Sequence, residues 1–258
     1  MEGGDFSLWV YLARTPLLWL TVTLTAYVAA DRIAAATGRH PLANPVLVAV
    51  VFVAVVLAVT GTPYPTYFEG AQFVHFLLGP ATVVLAFPLY ERRATVKRAL
   101  VPMLAALAAG SVVTLICVIV LARLFSIPQP ILVSLAPKSV TSGVAMGIAA
   151  TLGGDPTLTA ILVILTGIIG AILVTPMMEA LNISDMRARG FAAGLAAHGI
   201  GTARAFQVSE VAGTFAGIAM GLNAFVTAIL APLALHLIEL RIRIPSGRPR
   251  PRPATGWM

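Results

Sequence analysis

Charge is what this chain has least of. Lys, Arg, Asp and Glu make up 10% of its 258 residues, against about 25% in soluble domains, which is too little polar surface to clothe a water-soluble globule. There is one cysteine, Cys117; it excludes an internal disulfide, and its place in the apolar string LICVIV marks a small packing residue. The four histidines, His40, His75, His198 and His236, have no metal-ligand spacing. No paired carboxylates or Ser/His/Asp set occur in the apolar runs. GIGTAR lacks the third glycine of a dinucleotide loop, and Lys138-Ser139 lacks the preceding glycines of a phosphate loop. These absences argue against an enzyme, a cofactor and a resident metal.

What is present is apolar. Hydrophobic residues reach 59% and mean hydropathy is +0.93, the composition of an integral membrane protein. A net charge of +7 would suit nucleic acid. The positives lie between apolar runs and in the tail, however, which is a topology signal and not a nucleic-acid footprint. The N-terminus, MEGGDFSLWVYLARTP, has no basic n-region or cleavage site, so the first apolar run is expected to stay and a bacterial inner membrane is the simplest location.

The expected fold is an all-α polytopic membrane protein. Continuous apolar segments, judged against the ~20 residues a span needs, are Pro16–Ala36, Asn44–Thr60, Ala99–Leu121, Pro130–Leu152, Leu158–Met177 and Val211–Ile238. Phe73–Tyr90 and Phe191–Gln207 are short and interrupted by Gly or Pro, as re-entrant or broken helices are. Residues 1–240 form one transmembrane domain. Within it, 16–123 and 130–238 read as repeats: span, turn, span, broken segment, long span. If each broken segment returns to its own side, each half makes three crossings and the second half is inverted. With both termini cytoplasmic, Arg92, Arg93, Lys97 and Arg98 join the tail arginines inside, while Arg32, Arg39, Arg123, Arg187 and Arg189 lie outside, as the positive-inside rule asks. Residues 241–258 are a basic, Pro-rich cytoplasmic tail. Gly213, Gly217 and Gly221, and Gly143 with Gly147, form small-residue stripes for close helix packing.

The residues with chemistry sit where lipid should be. Lys138 follows Pro137 inside Pro130–Leu152, and a cation at the bilayer centre costs ~2.5–3.5 kcal/mol on insertion scales. Pro137 breaks the helix, so Ser139 and Thr141 stand at a fresh helix N-terminus suited to an anion. The broken segment HGIGTARA offers His198, Gly201, Thr202 and Arg204, with Arg204 able to grip a carboxylate bidentately. Gly79, Pro80 and Thr82 are their first-half counterparts, and Asn44 starts a span as a cap or as a cavity residue. Both cations also have a plainer reading, pairing with Glu210 or, for Lys138, Asp155. His198 reads equally as a structural group or a proton relay.

The blocks NPVLVAV, YPTYFEGA, FLLGPATVVLAFPLYE, APKSVTSGVAM, TGIIGA and AAHGIGTARA, in that order, resemble the LrgB/CidB family. The family also includes the membrane domain of the plastid glycolate/glycerate translocator. The resemblance implies two functions. One is movement of small monocarboxylates (glycolate, glycerate, lactate or pyruvate); joined to the residues read above, it makes the chain a secondary transporter working by alternating access through Lys138, Ser139, Thr141, His198, Gly201, Thr202, Arg204, Gly79, Pro80, Thr82 and Asn44. The other is a holin/antiholin-like role in murein hydrolase export and autolysis. It further implies a small LrgA/CidA-type membrane partner; a homodimer is also expected.

Overall fold

The computed structural model describes residues 15–77, 80, 83–84 and 86–242. Gly79, Thr82 and the tail beyond residue 242 therefore lie outside the described residues. The elements are helices α1 (Pro16–Ala36), α2 (Pro45–Thr60), α3 (Tyr64–Phe76), α4 (Ala86–Glu91), α5 (Arg93–Arg98), α6 (Leu100–Leu124), α7 (Gln129–Leu135), α8 (Ser142–Thr151), α9 (Pro156–Ala180), α10 (Met186–Val208) and α11 (Glu210–Ile242). Four are long and apolar enough to cross a membrane: Pro16–Ala36, Leu100–Leu124, Pro156–Ala180 and Glu210–His236. The chain is thus a helical, multi-pass membrane protein.

Local sequence sets several helix starts. Asn44 Oδ1 accepts from Val46 N at 2.9 Å and Leu47 N at 3.2 Å, with Pro45 opening α2. Asp155 does the same for α9, accepting from Thr157 N at 2.7 Å and Leu158 N at 3.2 Å. A side-chain acceptor followed by proline satisfies orphan N–H groups where the chain leaves water. Asp185 caps α10, and the hydrogen bond from the Arg187 side chain holds its carboxyl down at about 2.

Contacts along the long helices fix their directions. Arg92, just before α5, pairs with Glu210 at 3.0 Å. Ser111 in mid-α6 donates to Asn223 in mid-α11 at 2.9 Å. Farther on, Leu115, Val118 and Ala122 share a core with Ala231 and Leu235. α6 and α11 are therefore parallel, running from a first face, where both begin, to a second. Parallel helices do not fit the inverted repeat, in which these two would run in opposite directions.

The reason lies in Pro130–Leu152, which is not one span. α7 enters from the second face, the chain breaks at residues 136–141, and α8 returns to that face. Thr151 and Leu152 line a groove with Val133 and His236 there, and Asp155 N donates to Ser134 Oγ at 2.8 Å. Pro137 removes an N–H and obstructs the preceding turn, so the helix cannot continue. α9 then runs to the first face, where Glu179 meets Arg189 at 3.7 Å.

α10 is the second hairpin, entering from the first face. The chain turns back at Ala197 (φ −124°, ψ 17°) and His198 (φ 40°, ψ −132°), and Ala193 and Ala205, one from each limb, share a core with Ala212 and Ala216. The re-entrant expectation for Phe191–Gln207 is met. Of Phe73–Tyr90, the described flanks lie at opposite faces: α2 begins beside Gln207 at the first face, so the start of α1, on which Gly70 packs, lies toward the second, while Arg92 stands at the first beside Glu210.

This geometry also corrects the sidedness. Arg98 shares a groove with Asp185 and Arg187, so Arg92–Arg98 lie at the face of Arg187 and Arg189, opposite the start of the tail. Of the glycines expected to pack closely, Gly213 stands against the Phe206 ring of α10, but the tightest backbone contacts use others. Gly143, Gly147 and Gly221 have nothing within 4 Å of an added Cβ, whereas Gly190 and Gly194 lie directly against the backbone of Ala212 and Ala216. Short contacts between α10 and α11 let dispersion replace the hydrophobic drive that lipid removes.

Candidate functional site

The two breaks meet midway through the membrane. Asn223 is the central residue of the Glu210–His236 crossing, and its buried amide reaches both. Nδ2 donates to Ser139 O at 3.2 Å, with Ser139 Oγ at 3.4 Å, and to Leu195 O at 3.2 Å. Oδ1 accepts from Ser111 Oγ at 2.9 Å and Thr227 Oγ1 at 3.2 Å. From Asn223 to Leu235, at the second-face core, is twelve residues, about 18 Å along a helix. The meeting point is therefore deep within the apolar layer.

His198 forms the tip of the α10 hairpin. Its ring is buried and Nε2 lies 2.9 Å from Val163 O, while its own carbonyl accepts from Thr202 Oγ1 at 2.8 Å. Space for the ring comes from α9: a Cβ on Gly167 would stand 2.7 Å from His198 Cε1, and one on Gly170 2.6 Å from Ala197 Cβ. Gly201 does the same between the hairpin's limbs, 2.5 Å from Ala193 O. The positive φ of His198 is a conformation L residues resist by ~1–3 kcal/mol. His198→Gly relieves that strain and His198→Ala does not, although both lose the ring. His198→Gly should therefore melt above His198→Ala by an amount equivalent to about 1 kcal/mol; a lower melting point for the glycine variant in a detergent thermal-shift series would refute a strained tip.

The cations approach this centre from separate elements. Lys138 belongs to the α7–α8 break, between fully buried Pro137 and buried Ser139. It takes part in none of the four ion pairs among the described residues. Arg204 lies six residues past His198, about 9 Å toward the first face, in a recess with Tyr27, Asn44 and Gln207. Its Nη1 donates to Gln207 Oε1 at 3.4 Å, and its Nε is buried without a partner. Glu210, the carboxylate expected to neutralise either cation, is engaged by Arg92, and Asp155 is spent on capping.

Of the other expected residues, Thr141 precedes α8 as its N-cap without a side-chain capping bond. Asn44 is buried, with Oδ1 committed to the α2 cap, and still lines the Arg204 recess. Pro80 is helical and exposed. Sequence reasoning missed Asn223 and the Gly167/Gly170 pair. A lone polar residue inside a 27-residue apolar helix was the available signal for Asn223; nothing short of the fold pairs α9 glycines with a hairpin tip.

Among the described residues no carboxylate pairs with either cation near the two helix breaks. The LrgB-like family model matches residues 23–237. The chain belongs to that family. It is similar to a protein named "Holin-like protein CidB" from Staphylococcus epidermidis, 31% identical over 227 residues that cover 88% of this chain and 98% of the relative. The CidB of Staphylococcus aureus is 30% identical over 221 residues, covering 86% and 96%. A Bacillus subtilis relative, "Uncharacterized protein YxaC", is 32% identical over 226 residues, covering 87% and 97%. No solved structure matches the chain.

Proposed function

We propose that this LrgB-family protein is a holin-like membrane protein that controls permeation across the bacterial cell membrane. The observation that carries the reading is its similarity, over 86–88% of its length, to relatives named holin-like. As the family resemblance implies, its action would bear on murein hydrolase export and autolysis, with an LrgA/CidA-type partner and a homodimer as the working assembly.

A second reading is favoured by a specific observation, the two breaks that meet mid-membrane beside cations lacking carboxylate partners. A lesion-forming helix bundle requires neither feature, whereas secondary transporters place anions at half-helix ends near the midplane. In this reading the permeant is a small monocarboxylate. Lys138 and Arg204 compensate its charge, Ser139, Thr141 and Thr202 meet its oxygens, His198 relays a proton, and Gly201 and Asn44 shape the path. Gly79, Pro80 and Thr82 are assigned to the same path.

Proteoliposomes separate the two readings. A carrier should give saturable uptake of labelled glycolate, lactate or pyruvate with counterflow, and should retain a trapped fluorescent dye. A holin-like pore should release dye and carboxylate alike, without saturation. Liposomes that neither take up carboxylate nor release dye would count against both.

A further inference from the structure

We propose that Asn223 is the positioning residue that couples the two hairpin tips, so that the break at residues 136–141 and the break at 197–198 open and close as one unit. Nothing in the family resemblance or the relatives' names gives this residue a role. Among the described residues it is the only side chain hydrogen-bonded to both tip segments.

A broken helix leaves carbonyls of its last turn without their i+4 donors, and in lipid each such group costs several kcal/mol. Leu195, one turn before the α10 break, and Ser139, within the α7–α8 break, each present a carbonyl that the Asn223 amide satisfies at 3.2 Å. A primary amide has two N–H donors and one carbonyl acceptor with two lone pairs. Here the donors serve the two tips, and the acceptor takes Ser111 and Thr227. Every valence of the amide is used, and the two from the nitrogen go to hairpins entering from opposite faces.

Displacing either tip therefore strands a donor at the centre of the membrane. Only water can then satisfy the stranded donor and carbonyl, and water that reaches the amide also competes for the carbonyl of the other tip, so the two tips are released together. Ser111 and Thr227 anchor the oxygen, so the amide cannot turn to follow one tip alone.

The coupling rests on the permeation reading only for its purpose, and the test does not use transport. Hydrogen–deuterium exchange by mass spectrometry, in lipid nanodiscs, compares wild-type protein with Asn223→Leu and with Asn223→Asp. The leucine removes both donors; the aspartate keeps an acceptor toward Ser111 and Thr227 and, even protonated, has a donor for at most one of the two tip carbonyls. Each variant is expected to raise exchange about tenfold or more at residues 136–141 and 196–201 alike, with peptides from mid-α6 and mid-α9 unchanged. Ser111→Ala, which leaves the donor bonds in place, should move the tips far less. Faster exchange at one tip only, at neither, or equally across all the spans would overturn the coupling, as would failure of both Asn223 variants to fold. Dye and carboxylate flux through the same protein is read separately. A null flux beside coupled tip exchange would count against the permeation reading alone.

Discussion

Gly194→Leu should leave no folded protein in the membrane. A Cβ at Gly194 would overlap the Ala216 carbonyl of α11, and Gly190 stands in the same relation to Ala212 one turn earlier. The obstacle is backbone, so no rotamer change can relieve it, and the two helices must separate. Overpacking costs ~1–3 kcal/mol where side chains can give way, and more where they cannot. Separation would also draw Leu195 away from Asn223 and expose a break that lipid cannot solvate. Even Gly194→Ala is expected to cost about 3 kcal/mol. Gly147→Ala is the contrast. An added Cβ there meets nothing within 4 Å, so helix propensity alone operates and the variant should be stabilised by up to ~1 kcal/mol. Size-exclusion profiles in detergent after a temperature ramp read all three, and a Gly194→Leu protein with wild-type behaviour would refute the close α10–α11 contact.

Removing the charge of Lys138 should move stability and flux in opposite directions. The lysine is set in the first hairpin tip and makes no ion pair with any described residue. A half-buried cation without a partner is a net cost to the folded state, so Lys138→Ala should melt at or above the wild-type temperature. If the cation holds a carboxylate in transit, the lost charge-assisted bond is worth ~1.5–3 kcal/mol, and saturable carboxylate uptake should fall about 10- to 150-fold. Lys138→Arg keeps the charge and alters its shape, and should lie between. Unchanged uptake by the alanine variant would remove Lys138 from the path, and a large fall in melting temperature would show that it stabilises the tip instead.

How legible this was depended on whether a signal was local. Pro137 marks its helix break in one residue, and the Gly-rich stretch around His198 marks the second, so both interruptions were readable. So was the start of α2 and α9, where an oxygen-bearing side chain precedes proline. What each break does next was not readable. A span that stops at Pro137 and resumes at Ser142 has the same hydropathy whether it goes on across or turns back. Treating Pro130–Leu152 as a crossing reversed every later helix, which produced the inverted repeat and put Arg98 and Arg187 on opposite faces. The small-residue stripes were met only at Gly213, against Phe206, for a related reason: spacing shows which glycines share a helix face, but not whether anything stands opposite. Asn223 was passed over because its partners come from three segments far apart in the chain.

The α10 hairpin has a consequence for biogenesis. It is not among the helices apolar enough to cross unaided, and its tip is satisfied by Val163, made before it, and Asn223, made 28 residues after Leu195. A translocon releasing the chain segment by segment would meet the hairpin before half of its hydrogen-bond partners exist. The hairpin tip is therefore complete only once α11 is in place. The order in which the tip's hydrogen bonds form then cannot follow the order of the sequence, because one partner precedes the hairpin and the other follows it.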